Sequence, residues 1–496
     1  MLTKMLFSLF VLLLICKEGI VVEIDPSKTI IWGPGLKPDK ITMRARYIFF
    51  QLVDSNGKNL TESQGKDIVS AHIQGQTLSG HTCHIGTQIL DCKDGSFIVR
   101  YRLDHTCFNL KLKFKVKHVL ILSMEFKGPV YEEECYCPHP SINKWIKNME
   151  CSTNYTQMSN DLLPFTNVDF NKIRQNIIKE YDQPGSVSLC HYVVKTNKIF
   201  RHCYGKHVGF KIFMDSILLS LTRKVILPDI ELFVNLGDWP LVPQNGKNYP
   251  IFSWCGSIDT KDIVMPTYDI TESSLEAMGR VMLDVLSVQG NIDTPWKKKK
   301  EKLFWRGRDS RQERLDLIDI SRKHPDLFNA SITNFFFFKD QIDKYGPGQK
   351  HISLFNFFEY KYQLNIDGSV AAYRFPYLLA GDSLVLKQKS KYYEFFYNDL
   401  IPGKHYVPVE SDLSNLVKKI TWAKEHDKDA LEIAKTARQF ARDNLLPRDV
   451  LCYHVVLFNE WNKRLKSEVK ILNNMEEVLQ PKHSCKCYDG KMKEEL

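Results

Sequence analysis

The stretch LNIDGSVAAYRFPYLLAGDSLVL, residues 364 to 386, joins two apolar segments through a turn and a short helical pattern. A first strand is predicted to end at Asp367 and Gly368, and the small residues that follow, Ser369 to Ala372, are predicted to begin a helix. A second apolar strand closes the stretch. Strand, helix and strand in this order are typical of an α/β fold with a parallel sheet.

The same alternation is found from about Asp169 onward, within a domain predicted to extend from residue 135 to residue 480. Apolar strand patterns such as ELFVNLGDWPL (231 to 241) and KLFWRGR (302 to 308) are separated by helical patterns. The aromatic run FNASITNFFFFKD (328 to 340) is predicted to be a buried strand. The length of this region predicts two lobes with a cleft between them.

Residues 24 to 132 have a different pattern, with about seven short strands and a turn signal roughly every ten residues. They predict an antiparallel sandwich. The pieces GPGL (33 to 36), DGSFIVRY (94 to 101) and KGPVY (127 to 131) resemble the filamin-type immunoglobulin repeat. No cluster of polar residues here suggests catalysis, so this domain is expected to bind a partner or act as a spacer.

The two ends of the chain predict its compartment. Residues 1–20 read as a cleaved secretory signal peptide, and no later window is long and apolar enough for a membrane span. The tail, residues 481–496, ends in KEEL, a variant of the KDEL retrieval signal, which predicts residence in the endoplasmic reticulum lumen and a KDEL-type retrieval receptor as partner. Asn59, Asn154 and Asn329 begin N-glycosylation sequons, which agree with a secretory protein.

The cysteines point to the same compartment. The chain has 13 cysteines, and removal of Cys16 with the signal peptide leaves an even set, so disulfides are expected. Cys135 and Cys137, like Cys485 and Cys487, are separated by a single residue, which is shorter than the usual spacing of zinc ligands. Zinc is therefore disfavoured at both pairs, and the pairing of the cysteines stays open.

A net charge of +10 and the basic stretch WKKKKEKLFWRGRDSRQERL (296 to 315) raise the question of nucleic acid. A charge run is usually a solvated face, and lumenal proteins rarely meet nucleic acid. We therefore expect no nucleic-acid partner. A few of the arginines are instead candidates for binding a phosphate-bearing small ligand.

Asp238 is the candidate catalytic residue. It follows the strand that ends at Asn235, and open α/β folds bind ligands beyond the carboxyl ends of their strands. Gly237 eases the turn and Pro240 stiffens its exit, so the carboxylate is predicted to face the cleft. The alternative is that Asp238 only caps this turn through a bond to the backbone.

Two further strand ends carry arginines. A helix that begins at Ser369 would offer free N–H groups to a phosphate, and Arg374 would add a forked contact. Arg306 and Arg308, at the end of KLFWRGR, could form a second clamp for a diphosphate. The alternative for both is close packing at ordinary turns. One acid and two arginine-bearing strand ends suit transfer of a group from a nucleotide diphosphate.

Three motifs, NLGDWP, FWRG…ER and DGSVAAYRFPYLLAGDSLVLK, resemble the signatures of the CAP10 family of glycosyltransferases, which includes Rumi-type protein O-glucosyltransferases. The filamin-like domain and the KDEL-like end resemble the KDEL-motif-containing subgroup. The resemblance implies a GT-B-like pair of Rossmann-type lobes, preceded by the all-β immunoglobulin-like sandwich. It also implies inverting, metal-independent transfer of glucose from UDP-glucose to a serine of folded EGF-like repeats, with no cofactor.

Carried over to this sequence, the resemblance makes Asp238 the catalytic base and places Trp239, Pro266 and Tyr268 near the sugar or the acceptor. The residues implied in donor binding are Arg306, Arg308, Gly368, Ser369, Val370, Ala371, Ala372, Tyr373 and Arg374. Arg308 departs from the family pattern, in which a smaller residue is common. Two alternatives stay open: transfer of xylose from UDP-xylose, and a lumenal binding or chaperone-like protein with an inactive transferase domain.

Overall fold

The structure, a computed structural model of the 496-residue chain, describes residues 23–186, 188–275 and 284–488. The predicted signal peptide and the KEEL sequence lie outside these ranges. The described chain forms an N-terminal sandwich, a first α/β lobe and a second α/β lobe. This is the predicted GT-B-like pair of lobes preceded by an immunoglobulin-like sandwich.

The sandwich consists of two antiparallel sheets. One has the order β1-β2-β5-β4 and the other the order β3-β6-β7, which is the arrangement of immunoglobulin constant-type domains. Aromatic and branched residues alternate along these strands and fill the space between the sheets. The strands are β1 (Ile30–Trp32), β2 (Arg46–Gln51), β3 (Val69–Gln76), β4 (Ile85–Asp91), β5 (Ser96–Leu103), β6 (Phe108–Val116) and β7 (Val119–Phe126).

The first lobe is built on a six-stranded sheet of order β13-β11-β10-β8-β9-β20. β10, β11 and β13 pair in parallel, whereas β8 pairs antiparallel with β10 and with β9. The sheet of this lobe is therefore mixed. Its strands are β8 (Leu189–Lys195), β9 (Lys198–Tyr204), β10 (Ile230–Asn235), β11 (Ile251–Ser253), β13 (Ile263–Val264) and β20 (Glu476–Val478). Its helices are α1 (Ile142–Met149), α2 (Thr156–Leu162), α3 (Phe170–Tyr181), α4 (Lys211–Lys224), α5 (Tyr268–Leu275) and α6 (Val285–Gly290).

The second lobe has a five-stranded parallel sheet of order β15-β14-β16-β17-β19. In chain order this is 2-1-3-4-5, a doubly wound arrangement whose topological switch point lies between β14 and β16. The strands are β14 (Lys300–Arg308), β15 (Phe328–Asn334), β16 (Tyr360–Asn365), β17 (Leu384–Gln388) and β19 (Val407–Val409). The helices are α7 (Gln312–Lys323), α8 (Ile342–Tyr345), α9 (Phe375–Ala380), α10 (Leu416–Glu425) and α11 (Asp427–Asn444).

A short sheet and the last helix are two of the connections between the lobes. Two-residue strands, β12 (Gly256–Ser257) and β18 (Tyr392–Tyr393), pair across the boundary. The last helix, α12 (Pro447–Asn462), then returns to the first lobe, where Trp461 donates a hydrogen bond to the Glu231 carbonyl at 2.8 Å. These connections fix the cleft edge of one lobe against that of the other.

The sandwich packs directly against the transferase lobes. Tyr47, Phe49 and Leu90, on the outer face of the β1-β2-β5-β4 sheet, belong to the same apolar core as the first lobe. The Arg438 guanidinium on α11 donates to the Cys92 carbonyl at 2.9 Å. Asp94 is ion-paired with the same arginine at 3.5 Å. The sandwich is thus an integral part of the folded molecule.

Five disulfides form, as expected for an oxidising compartment. Their partners are Cys83–Cys107, Cys135–Cys485, Cys137–Cys487, Cys151–Cys452 and Cys190–Cys203. The two closely spaced pairs therefore bond to each other and tie the C-terminal tail to the joint between sandwich and first lobe. Cys92 and Cys255 are buried free thiols. No helix in the described ranges is long and apolar enough to cross a membrane.

Candidate active site

The position of Asp238 follows from strand β10, whose six residues are all buried. The turn beyond it is shaped by Asn235, whose side chain accepts from the Gly237 amide at 2.9 Å and donates to the Trp239 carbonyl at 2.7 Å. The Asp238 carboxylate instead accepts a hydrogen bond from the Tyr268 hydroxyl at 3.3 Å. The turn-capping role that the sequence left open for Asp238 thus belongs to Asn235.

The environment of Asp238 changes its acidity. Burial raises the pKa of the carboxyl, and the hydrogen bond from Tyr268 opposes that shift because it favours the ionised form. Asp238 as a whole residue is half-buried. A raised pKa makes this carboxylate a stronger base than an ordinary aspartate, which suits it to accept a proton.

Tyr268 connects Asp238 to the second lobe. It begins α5, and its ring meets the ring of Tyr373 edge to face, with centroids 5.4 Å apart. The Trp254 ring lies at 5.9 Å in a second edge-to-face contact. Asp238 and Tyr268 from the first lobe, and Tyr373 from the second, therefore lie together.

Cys255 lies beneath this cluster and was not singled out by sequence. Its thiol donates to the Asp238 backbone carbonyl at 3.3 Å, and its side chain packs against Val370 and Ala371 of the second lobe. Burial raises the pKa of this thiol, so it is neutral. The sequence did not predict a free thiol at Cys255, because an even number of cysteines is what complete pairing in disulfides would give.

Arg374 supplies positive charge on the second-lobe side. Its Nη1 donates to the Arg306 carbonyl at 2.5 Å, at the end of β14. Burial lowers the pKa of the guanidinium to about 10, and the charge of Asp269 opposes that shift. Arg374 is still a cation at neutral pH, at the switch point where doubly wound folds bind their ligands.

The helix predicted to begin at Ser369 does not begin there. Residues 368–372 form a bent loop, and α9 starts at Phe375. Pro376 occupies the first turn of α9, the only part of a helix where its missing N–H costs little. The small residues Ser369 to Ala372 thus line a loop, and the Gly368 amide is taken by the Val370 carbonyl at 2.8 Å.

The side chain of Arg306 also departs from the prediction. Its guanidinium donates to the Trp305 and Asn329 carbonyls, both at 2.9 Å, and to the Asn329 side-chain oxygen at 2.8 Å. It is thus committed to the neighbouring strand rather than presented as a free clamp. Arg308, at the end of β14, is exposed.

Arg314, the arginine of FWRG…ER, is a structural residue to which the sequence assigned no role. Its buried guanidinium donates to the Asp367 carbonyl at 2.6 Å, the Arg308 carbonyl at 2.8 Å and the Ile366 carbonyl at 3.2 Å. Burial lowers its pKa to about 9. One fork therefore holds the carboxyl ends of β14 and β16 together at the switch point.

The remaining predicted residues are distributed as follows. Trp239, beside Asp238, is 48% exposed, and Pro266 lies two residues before α5 with its carbonyl accepting from Thr271 at 3.5 Å. The sequon residues Asn59 and Asn154 are exposed. Asn329 differs, since its amide nitrogen donates to the Tyr360 hydroxyl at 2.8 Å within the sheet. That geometry disfavours a glycan at Asn329.

Two groups of side chains within the described ranges have the spacing of a metal site. They are Cys135, Cys137 and Cys485, and Glu132, His483 and Cys485. The cysteines in both are bonded in disulfides, so they lack the free thiolates that zinc requires. Metal-independent transfer remains a prediction.

Comparison with known proteins gives the family. A model described as glycosyl transferase family 90 matches residues 146–496. The chain belongs to glycosyl transferase family 90. The CAP10-type resemblance is thereby confirmed, and the chain is a glycosyltransferase.

Two named relatives of this family 90 transferase match nearly its whole length, and a third matches about two thirds of it. Protein O-glucosyltransferase 2 of Danio rerio is 49% identical over 95% of this chain and 94% of the relative. Protein O-glucosyltransferase 3 of Homo sapiens is 42% identical over 99% of both chains. Protein O-glucosyltransferase 1 of Homo sapiens is 29% identical over 68% of this chain and 88% of its own length.

Proposed function

We propose that this glycosyltransferase moves glucose from UDP-glucose to a serine hydroxyl of folded EGF-like repeats, with inversion at the anomeric carbon and without a metal. The main support for this proposal is the position of the Asp238 carboxylate between the lobes. It accepts a hydrogen bond from Tyr268, whose ring contacts Tyr373 of the second lobe. The names of the relatives, protein O-glucosyltransferases 2 and 3, support transfer of glucose to a protein. The five disulfides support a secretory compartment, for which we propose the endoplasmic reticulum lumen.

Asp238 is the general base in this proposal. A serine hydroxyl is a weak nucleophile, so its proton passes to the Asp238 carboxylate as its oxygen bonds to the anomeric carbon of glucose. The bond from that carbon to the diphosphate breaks in the same step, and UDP leaves with the electron pair. A single displacement of this kind inverts the configuration of the sugar.

The leaving diphosphate gains negative charge in this step, and Arg374 is the residue proposed to compensate it. The guanidinium is cationic and half-buried, so its interaction with a phosphate is screened less than it would be in water. We propose that the bent loop, residues 368–372, lies against the donor, because its small side chains allow close approach. Arg306 takes part through its backbone, which orients Arg374.

We expect Asp238→Asn to lower the rate of glucose transfer by ~10²–10⁴-fold, because an amide accepts no proton from serine. The measurement is mass spectrometry of folded EGF-like repeats incubated with UDP-glucose and purified wild-type or variant protein. A chelator in every reaction tests metal independence. Asp293→Asn, at an exposed aspartate in a loop, is the matched control and should keep wild-type activity.

Other outcomes separate the competing functions. Addition of a pentose from UDP-xylose, with no hexose from UDP-glucose, would replace the proposed donor. Wild-type protein that is folded and binds UDP, but modifies none of a panel of repeats, would favour a lumenal binding protein. Full activity of Asp238→Asn would remove Asp238 as the base while leaving the transferase assignment intact.

A further inference from the structure

A row of lysines follows the middle strand of the three-stranded sheet in the sandwich. Every second residue of β6, from Leu110 to Val116, is fully buried between the two sheets. Side chains alternate along a strand, so the residues between them, Lys111, Lys113 and Lys115, point to the outer face of the sheet. Successive lysines of the row are about 6.8 Å apart along the strand.

The neighbouring strands do little to neutralise this row. In the three strands of the sheet the one acidic residue is Glu125 of β7, which forms an ion pair with Lys111 at 3.5 Å. The residues opposite Lys113 and Lys115 on the two neighbouring strands are Ser123, Leu120, His72 and Ser70. None of these is acidic, so the outer face has an excess of positive charge that the sheet itself does not balance.

The position of the row argues against a role in preventing aggregation. Proteins place lysines for that purpose on edge strands, whose unpaired N–H and C=O groups would otherwise bind other strands. Here the lysines lie on the middle strand, whereas β7 at the edge begins with Val119 and Leu120, which are 51% and 52% exposed. No strand in the described ranges pairs with the outer edge of β7. A basic face therefore lies beside an open edge that is partly apolar.

We propose that this part of the sandwich binds an acidic polypeptide segment in extended conformation. The segment adds as a strand to the free edge of β7, and its acidic side chains point to the side of the sheet that carries the lysines. We call the five residues involved the basic face: Lys111, Lys113, Lys115, Val119 and Leu120. The inference does not depend on the proposed function, because the sandwich contributes no residue to the candidate active site.

The distances allow the acidic side chains to reach the lysines. A strand added to β7 would lie about 10 Å from β6, which is two strand spacings. By standard bond lengths and angles a lysine side chain reaches about 6 Å from its α-carbon and a glutamate about 5 Å, so the two span this distance when both lean across β7. Ser123, which lies between them on β7, is small enough to let them pass.

Spacing and chemistry both favour a polypeptide as the occupant. An extended chain repeats the side chains of one face at the same interval of about 6.8 Å, so three successive acidic residues on that face would each meet one lysine. The N–H and C=O groups along the free edge of β7 are matched by a peptide backbone, which a sulfated polysaccharide lacks. The exposed Val119 and Leu120 add apolar area that a purely ionic partner would leave in water.

The test measures binding of synthetic probes to the intact protein at an ionic strength of about 0.15 M. The first probe is a fluorescently labelled peptide in which Glu and Thr alternate. The second has the same composition but carries all its Glu residues in one block. The third is labelled heparin, a polyanion without a peptide backbone. Fluorescence anisotropy should show that the alternating peptide binds severalfold more tightly than the block peptide, because only its acidic residues match the spacing of the lysines.

Two double variants separate the basic face from the general positive charge of the protein. With Lys113→Gln and Lys115→Gln together, we expect the Kd for the alternating peptide to rise roughly fivefold or more, because two charge pairs are lost. Lys297→Gln with Lys298→Gln is the matched control, since it removes the same charge from two exposed lysines of the second lobe. It should change the Kd by less than twofold. Both proteins should unfold at the wild-type temperature.

Four results would overturn the inference. If the alternating peptide does not bind the wild type at this ionic strength, the lysines form only a solvated face. An equal rise in Kd in the control variant would show attraction by net charge alone. A block peptide that binds as tightly as the alternating one would exclude strand addition. Heparin that binds through Lys113 and Lys115, without binding of the alternating peptide, would assign the basic face to a polysaccharide instead.

Discussion

At the scale of single residues, Asp238 depends on neighbours that free its carboxylate and adjust its acidity. Asn235 takes the hydrogen bonds that close the turn, and Tyr268 donates to the carboxylate. The sequence predicted the position of Asp238, because the strand that ends at Asn235 is followed by a turn that contains Gly237 and Pro240. It could not predict the partner, because Tyr268 is 30 residues away along the chain.

The pH dependence of transfer follows from this pair. Activity requires ionised Asp238, and since burial raises its pKa, kcat/KM should rise with pH through a value above that of an ordinary aspartate and then level off. In Tyr268→Phe the ionised form loses its hydrogen bond, so the pKa rises further and the acid limb should move to higher pH. The measurement is the pH profile of kcat/KM for both proteins. An acid limb that stays in place, or moves to lower pH, would contradict the assignment.

At the scale of elements, the second lobe depends on how its strands end. Arg314 joins the carboxyl ends of β14 and β16 through three carbonyl groups. The order of strands and helices was predictable from alternating apolar patterns. α9 begins six residues after the predicted Ser369, because Pro376 is tolerated only in the first turn of a helix.

Replacement of Arg314 should show how much its buried fork contributes. Arg314→Met leaves buried carbonyls without donors, and we expect a loss of about 2–5 kcal/mol in the free energy of unfolding. Arg322→Met, at an exposed arginine on the same helix α7, should lose under about 1 kcal/mol. Urea unfolding followed by fluorescence of the tryptophans measures both. Equal losses in the two variants would show that the fork is not important for stability.

At the scale of the whole molecule, the sandwich and the lobes share one apolar core. Arg438 and the Cys92 carbonyl join them, and Gly290 on α6 meets Leu90 on β4. A side chain at position 290 would place its β-carbon 2.4 Å from the Leu90 β-carbon. The sequence predicted two kinds of domain and a spacer or binding role for the first. It did not predict that the sandwich packs against the lobes.

Gly290→Ala should therefore destabilise the protein, since the sandwich has to move away from α6. Overpacking of this kind typically costs about 1–3 kcal/mol, which should lower the melting temperature by several degrees. Gly86→Ala in β4 is the matched control, because a methyl group there meets no atom within 4 Å. Calorimetry of the intact protein measures both changes. A Gly290→Ala protein as stable as Gly86→Ala would mean that the sandwich is only loosely attached.

The sequence by itself determined the class of each domain, the strand that ends at Asp238 and the expectation of disulfides, because periodicity, turn residues and cysteine content are local properties. Only the tertiary structure decided that Arg306 binds Asn329, that Cys255 stays free beneath Asp238, and which cysteines pair. Those outcomes depend on which distant segments the sheets bring together. The stacking of Phe213 on Tyr268 belongs to the second kind, since these two rings meet only through the packing of α4 against α5.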